Sequence, residues 1–91
     1  MPGQVVFSKR GRDRGTAYVV VGVFVESGKQ YAYLADGNRR PAEKPKKKKA
    51  AHIQPTKTVI PYDNNGDAGA LDAYLRKALK KYAEHAGENK E

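Results

Sequence analysis

Cysteine is absent from the 91 residues of this chain, and long apolar runs are absent as well. Without cysteine the chain has no disulfides, no thiolate metal ligands and no thiol nucleophile, and it suits a reducing compartment. The longest mostly apolar run, residues 17–25, falls well short of the roughly 20 residues that span a membrane. The first residues, MPGQ, lack the basic and then apolar pattern of a signal peptide. We therefore expect a cytoplasmic protein that does not insert into membranes.

Sequence patterns typical of enzymes are also missing. The stretch GRDRGT at residues 11–16 lacks the Lys-Ser/Thr ending of a P-loop, and no nucleophile elbow occurs. The two histidines, His52 and His85, are far apart and have no spaced set of further ligands, so no metal site is expected. We expect a protein that is not an enzyme and holds no cofactor, with His52 packed or in contact with a phosphate.

Positive charge exceeds negative charge, and it is concentrated in two places. The formal net charge is +8, from 18 Lys and Arg against 10 Asp and Glu. Residues 1–15 carry a net +3 and residues 38–57 carry +7, whereas residues 67–91 cancel to zero. This distribution predicts an acidic polymer as the partner.

The first forty residues are typical of a β-meander. Residues 4–7, 17–25 and 30–35 are rich in β-branched and aromatic side chains and are separated by turn residues. In the second run, alternation predicts one face with Val19, Val21, Val23 and Val25, and the opposite face is apolar too. Gly22 indicates a bend or bulge in that strand. Arg39 and Arg40 could begin a fourth short strand that ends near Pro41.

The segment from residue 41 to residue 51 has two prolines and five lysines, which predicts an exposed loop without regular structure. Beyond it, residues 52–54 and 58–60 are two short extended pieces, each followed by a proline, that would complete the sheet. The pattern predicts a mainly β domain over residues 1–62, folded as a small curled sheet or barrel.

A helix is predicted near the C-terminus. Asp67 is well placed as its N-cap, and apolar residues then recur on one helical face, at Leu71, Tyr74, Leu75, Ala78, Leu79 and Tyr82. Gly87 offers a stop, so we expect an amphipathic helix from about Ala68 to His85, within a C-terminal segment over residues 63–86, and a frayed tail over 87–91. The helix would cap the sheet; docking to a protein partner or to an anionic membrane is the alternative.

The opening stretch GQVVFSKRGRDRG at residues 3–15, followed by an apolar strand, resembles the KOW motif of RNA-binding translation and transcription proteins. The segments AYLADG at 32–37 and HIQPT at 52–56 extend the likeness, over roughly residues 3–60, to the fourteen-e family of large-subunit ribosomal proteins and its small bacterial KOW relatives. The resemblance implies an SH3-like β-barrel whose loops contact RNA, usually ribosomal RNA. It implies that the motif's loop is formed by Lys9, Arg10, Gly11, Arg12, Arg14 and Gly15.

The same loop has a chemistry suited to phosphates. Glycine permits positive φ and close approach of a partner's backbone, and the planar fork of arginine can hold a phosphate through two hydrogen bonds. A tight hairpin with solvated charges is the alternative. The second basic segment would be a mobile arm that neutralises phosphates, or else a solvated loop; its basic residues are Arg39, Arg40, Lys44, Lys46, Lys47, Lys48 and Lys49.

Two tyrosines are candidates for stacking on unpaired bases. Tyr31 and Tyr33 share one face of the third predicted strand, near the basic turn. A structural role on the strand surface or in the core is the alternative for both.

These observations predict a monomeric, cytoplasmic RNA-binding protein that contacts ribosomal RNA in translation or ribosome assembly. An adaptor that binds proteins of the transcription or translation machinery, as KOW domains of the NusG type do, is the alternative. Association with a membrane surface through the lysines is a third, less supported alternative.

Overall fold

The computed structural model describes residues 2–12, 14–61 and 68–88. Over these residues the chain forms one antiparallel sheet and one helix. The strands are β1 (Gln4–Ser8), β2 (Ala17–Glu26), β3 (Lys29–Ala35), β4 (Lys46–Lys49) and β5 (Ile53–Val59), a short 3₁₀ helix (Ala50–His52) joins β4 to β5, and the helix α1 is Ala68–Glu88. The predicted mainly β class with a C-terminal helix is confirmed.

The strands lie in the order β4-β3-β2-β1-β5. The first four strands form a meander, and β5 returns to pair with the free side of β1. The sheet does not close, because β4 and β5 remain at its two edges. The short 3₁₀ helix joins these two edges, so the sheet curls and brings β4 and the start of β5 close to the loop between β1 and β2.

The predicted bend in β2 is confirmed, and it overturns part of the predicted alternation. Val20 pairs with Leu34 but Gly22 pairs with Tyr33, so β2 has one extra residue between them. Val23 then pairs with Ala32. Because alternate residues of β3 share a face, Val23 lies on the same face as Val20, and the single face predicted from Val19 to Val25 is broken at the bulge.

Both faces of the sheet are buried beside this bend. On one face, Val5, Val19 and Ala35 pack against α1. On the other face the sheet curls over a second cluster, formed by Val6, Tyr18, Val20, Ala32 and Leu34. A fully buried side chain of this size contributes about 1.5–3 kcal/mol, so the two clusters carry most of the hydrophobic stabilisation.

The helix presents most of its predicted apolar face to the sheet. Leu75 and Leu79 are buried, whereas Tyr74 is 40% exposed and stands outside the core. The helix begins at Ala68, as predicted, but it passes through Gly87 and ends at Glu88, beyond the predicted end near His85. A glycine inside a helix costs only about 1 kcal/mol. The predicted N-cap Asp67 and residues 89–91 lie outside the described residues.

The prediction of an irregular loop over residues 41–51 is wrong for its second half. Residues 46–49 form β4, which pairs with β3, and residues 50–52 form the 3₁₀ helix. Lysines suit an edge strand because their charges discourage pairing with further strands. Arg39 and Arg40 do not form a strand; they lie in a bend in which the Asp36 carboxylate accepts hydrogen bonds from the backbone N–H groups of Asn38 and Arg40, both at 2.9 Å.

The two short pieces predicted at residues 52–54 and 58–60 are one continuous strand, β5, with Pro55 inside it. Proline interrupts a strand by removing a donor, but β5 lies at the edge of the sheet, where one side of the backbone has no partner strand. The register between β1 and β5 shifts between Gln4 and Val6, and the hydroxyl of Thr56 donates to the Val5 carbonyl at 2.7 Å there.

Candidate nucleic-acid interface

The loop between β1 and β2 is a hairpin, of which the structure describes residues 9–12 and 14–16. The backbone N–H of Ser8 donates to the Thr16 carbonyl at 3.0 Å, and that of Gly15 donates to the Ser8 carbonyl at 2.8 Å. Gly15 has φ +88°, a conformation that favours glycine. The side chains of the four cations are exposed; they are Lys9, Arg10, Arg12 and Arg14. The loop is therefore a tight hairpin, and its four cationic side chains are accessible to a partner.

The strand β4 reaches this loop through Lys48. Its Nζ donates to the Ser8 Oγ at 2.6 Å and to the Arg10 carbonyl at 2.7 Å. The 3₁₀ helix also contacts the loop, because the Lys9 N–H donates to the His52 carbonyl at 2.9 Å. Both basic segments of the sequence therefore meet at one end of the sheet. We call this meeting point the cationic cluster; it comprises Lys9, Arg10, Lys48, Lys49 and His52.

His52 reports on the electrostatics of the cationic cluster. Partial burial lowers the pKa of its imidazole below the ordinary value of 6.5, and the positive charges of Arg10, Lys49, Lys48 and Lys9 lower it further. Protonation of His52 would add one more positive charge to this group, which is unfavourable, whereas binding of an anion would be favoured.

The four lysines of β4 do not form one surface, because alternate residues of a strand point to opposite faces. Lys46 and Lys48 pair with Leu34 and Ala32, and the alternate lysines pair with Tyr33 and Tyr31. Lys47 Nζ lies 3.0 Å from Glu26 Oε1, and this hydrogen bond raises the pKa of Lys47. Its charge is therefore partly matched within the protein.

The two candidate tyrosines form an aromatic ledge with Phe24. The Phe24 ring is stacked on Tyr31 at 5.2 Å and on Tyr33 at 4.9 Å between centroids. Lys47 Nζ lies over the Tyr31 ring at 4.8 Å from its centroid. Tyr33 is 38% exposed, so part of the ledge is open to solvent while the stacked rings support the sheet.

The remaining cations of the predicted arm lie in the loop between β3 and β4, and this loop is fixed to α1. The Asp72 carboxylate accepts a hydrogen bond from the Ala42 N–H at 2.8 Å, and Arg76 Nη1 donates to the Gly37 carbonyl at 2.6 Å. Arg39, Arg40 and Lys44 are exposed on this loop. The arm is thus divided: β4 joins the cationic cluster, and the preceding loop is attached to the helix.

The sequence did not predict the role of three residues that build the site. Ser8, Asp72 and Arg76 each make a hydrogen bond to a segment distant in the chain. No local pattern marks such partners, because sequence periodicity reports burial and not long-range pairing.

Neither a metal-binding group nor a membrane-spanning helix occurs among the described residues. No group of three His, Asp or Glu side chains there could hold a metal ion. None of the described helices is both long enough and apolar enough to cross a membrane. No protein-family model matches the chain, and no curated protein matches it either.

Proposed function

We propose that this chain is a non-enzymatic RNA-binding protein that contacts ribosomal RNA through the cationic cluster and the exposed arginines of the β1–β2 loop. The observation that carries the proposal is the meeting of the loop, β4 and His52 at one end of the sheet. Neutralising RNA phosphates there releases counterions and favours binding regardless of sequence.

The lowered pKa of His52 supports the same proposal. Four cations act on the imidazole, and no carboxylate is among the causes of its shift. A site of concentrated positive charge is costly in the free protein and favours an anionic partner. The cationic cluster differs in this respect from Lys47, whose charge is partly matched by Glu26.

The topology supports a KOW-type, SH3-like barrel as the scaffold. A four-stranded meander and a fifth strand that returns to β1 give a five-stranded antiparallel sheet of the size from which small barrels are built. The bulge at Gly22 bends β2 so that it can serve both halves of a curled sheet. The resemblance of residues 3–60 to KOW proteins makes ribosomal RNA the first RNA to test.

The aromatic ledge supports a preference for unpaired bases. An exposed ring on a strand surface can stack on a base, and each such contact contributes about 1–3 kcal/mol to binding. We expect Tyr33→Leu to weaken binding of single-stranded RNA and to leave binding of duplex RNA unchanged, as measured by fluorescence anisotropy. An equal loss of affinity for both RNAs would show that Tyr33 contributes only to the stability of the fold.

Salt dependence of RNA binding tests the main proposal. If about six phosphates are engaged, log affinity should fall against log salt with a slope of about −4 to −5. Arg10→Glu should weaken binding. Lys57→Glu makes the same charge change at an exposed position of β5, towards the end that pairs with Gln4, and should have little effect. Absent or salt-independent affinity for fragments of ribosomal RNA would contradict the proposal.

A pulldown with and without ribonuclease distinguishes RNA from a protein partner. We expect ribonuclease to release everything that the intact chain captures from a cell extract. A protein that stays bound after ribonuclease treatment would instead favour the adaptor function, and it would count against RNA as the principal partner.

A further inference from the structure

A cleft of about 680 Å³ lies between the β1–β2 loop and α1, and His52 is not among its lining residues. Gly15 lines one wall, and Arg76, Lys77 and Lys80 line the other. Its volume falls within the range of about 300–1,000 Å³ that is typical of ligand sites. Ala17 and Leu79 give the cleft an apolar floor.

The helix wall of the cleft is cationic. Arg76, Lys77 and Lys80 are exposed, and none of them lies in an ion pair with a side chain that the structure describes. The Arg76 guanidinium is held in place by its hydrogen bond to the Gly37 carbonyl, and its other N–H groups are not used by that bond. Arg76 and Lys80 are one helical turn apart, about 6 Å along the axis, so they occupy the same side of α1.

One carboxylate, that of Asp36, also lines the cleft. Its Oδ1 already accepts hydrogen bonds from two backbone N–H groups, those of Asn38 and Arg40. Asp36 therefore serves to shape the neighbouring loop, and the three cations on α1 outnumber it in the cleft.

The loop wall is open to a bulky partner. A Cβ added at Gly15 would have no atom within 4 Å, so the glycine leaves free space beside its backbone. A narrow backbone wall, an apolar floor and an opposite row of cations suit a chain that alternates sugars and phosphates.

We propose that this cleft binds the sugar–phosphate backbone of an RNA strand, with phosphates on Arg76, Lys77 and Lys80 and a sugar on the apolar floor. The inference rests on the proposed RNA-binding function and extends it to α1. The β1–β2 loop then contacts RNA both at the cationic cluster and at the cleft.

Charge reversal tests the cleft against a matched control. The pair Lys77→Glu and Lys80→Glu should weaken binding of a single-stranded RNA of about 12 nucleotides by at least about tenfold, and it should reduce the salt slope by about 1.4. The control Lys57→Glu lies in β5, towards the end that pairs with Gln4. It reverses one charge and should have much less than half the effect of the cleft pair. Circular dichroism and thermal melts verify that both variants remain folded.

The outcomes separate the two proposals. If the unaltered chain does not bind RNA, the proposed function fails. If it binds RNA and Lys57→Glu has as large an effect per reversed charge as the cleft pair, only the cleft proposal fails.

Amide chemical shifts locate the strand directly. Titration of the unaltered chain with the same oligonucleotide should shift the resonances of Gly15, Ala17 and Ala73, which line the cleft. Shifts confined to the cationic cluster would overturn the inference and leave the proposed function intact.

Discussion

Two adjacent lysines, Lys47 and Lys48, show how one position in a strand changes the role of a side chain. Lys48 points to the face of Ala32 and reaches the Ser8 hydroxyl and the Arg10 carbonyl. Lys47 points to the opposite face and pairs with Glu26 beside the aromatic ledge. One lysine therefore joins β4 to the basic loop, and its neighbour stabilises the sheet edge.

Gly15 is the residue at which the loop geometry can be tested. Its φ of +88° would strain any L side chain, so Gly15→Val should lower the free energy of unfolding by about 1–3 kcal/mol. It should also reduce RNA affinity more than Arg12→Ala does, because the whole loop and the cleft wall would shift. Fluorescence anisotropy with the same RNA compares the two variants.

Gly28 provides the matched control for Gly15. It has φ +76°, and a Cβ added there would also have no atom within 4 Å, but it lies in the turn between β2 and β3. Gly28→Val should cost similar stability in urea unfolding and leave RNA affinity unchanged. An equal loss of RNA affinity in both variants would show that the geometry of the β1–β2 loop has no special role.

His52 makes the stability of the fold dependent on pH. The pKa of His52 is lowered below 6.5 in the folded protein. At pH values near and below 6.5, the unfolded chain therefore binds a proton at His52 more readily than the folded protein does. The free energy of unfolding should therefore fall as pH drops below about 7 and should not change from this cause at higher pH. Urea unfolding of the unaltered chain and of His52→Gln, at about pH 7.5 and about pH 5.5, isolates the effect. An identical pH response in both proteins would contradict it.

At the scale of elements, hydrogen bonds join α1 to the β3–β4 loop. Asp72 and Arg76 on α1 each make a hydrogen bond to the backbone of that loop. The two elements approach so closely that only a glycine fits at position 37. This contact fixes the loop that carries Arg39 and Arg40, and it fixes the orientation of the cationic wall of the cleft.

Gly37→Ala tests that contact. A Cβ at this position would overlap the Asp72 carbonyl oxygen, and φ is +77°. Strain and overpacking together should lower the free energy of unfolding by about 2–5 kcal/mol. Gly28→Ala has the strain without the overlap, so it should cost only about 1–2 kcal/mol in the same urea experiment. Equal costs would show that α1 can move away without penalty.

At the scale of the whole molecule, sheet and helix share one core. Leu75 and Leu79 complete the cluster formed by Val5, Val19 and Ala35, while the opposite face of the sheet encloses its own cluster. A small domain has little apolar surface to bury, so covering the face that packs on α1 matters for its stability.

Leu75→Ala tests whether the shared core makes unfolding cooperative. Leu75 is fully buried, and its truncation should cost about 2–5 kcal/mol. The helix signal in circular dichroism and the absorbance of the tyrosines, to which the buried Tyr18 contributes, should shift together to lower urea. Tyr74→Ala, at an exposed position of the same helix, should have little effect. Loss of the helix signal before the tyrosine signal would show that α1 is a separate unit.

The sequence by itself determined the elements whose signals are local. Valine-rich alternation predicted β2, Gly22 predicted its bulge, and the spacing of leucines predicted the buried face of α1. Charge counting located both basic segments. These features depend on residues near one another in the chain, so periodicity and composition are sufficient to predict them. The KOW resemblance, ribosomal RNA and the absence of catalysis remain predictions.

Only the tertiary structure decided how the basic residues are arranged. The lysine run has the composition of a loop, and it becomes strand β4 because β3 offers its backbone as a partner. The long-range hydrogen bonds of Lys48 and Arg76 then place one group of cations beside His52 and another along the cleft. Such pairings join residues about 40 positions apart, as in Lys48 to Arg10 and Arg76 to Gly37. No local pattern specifies them, because they form only when the sheet brings distant segments together.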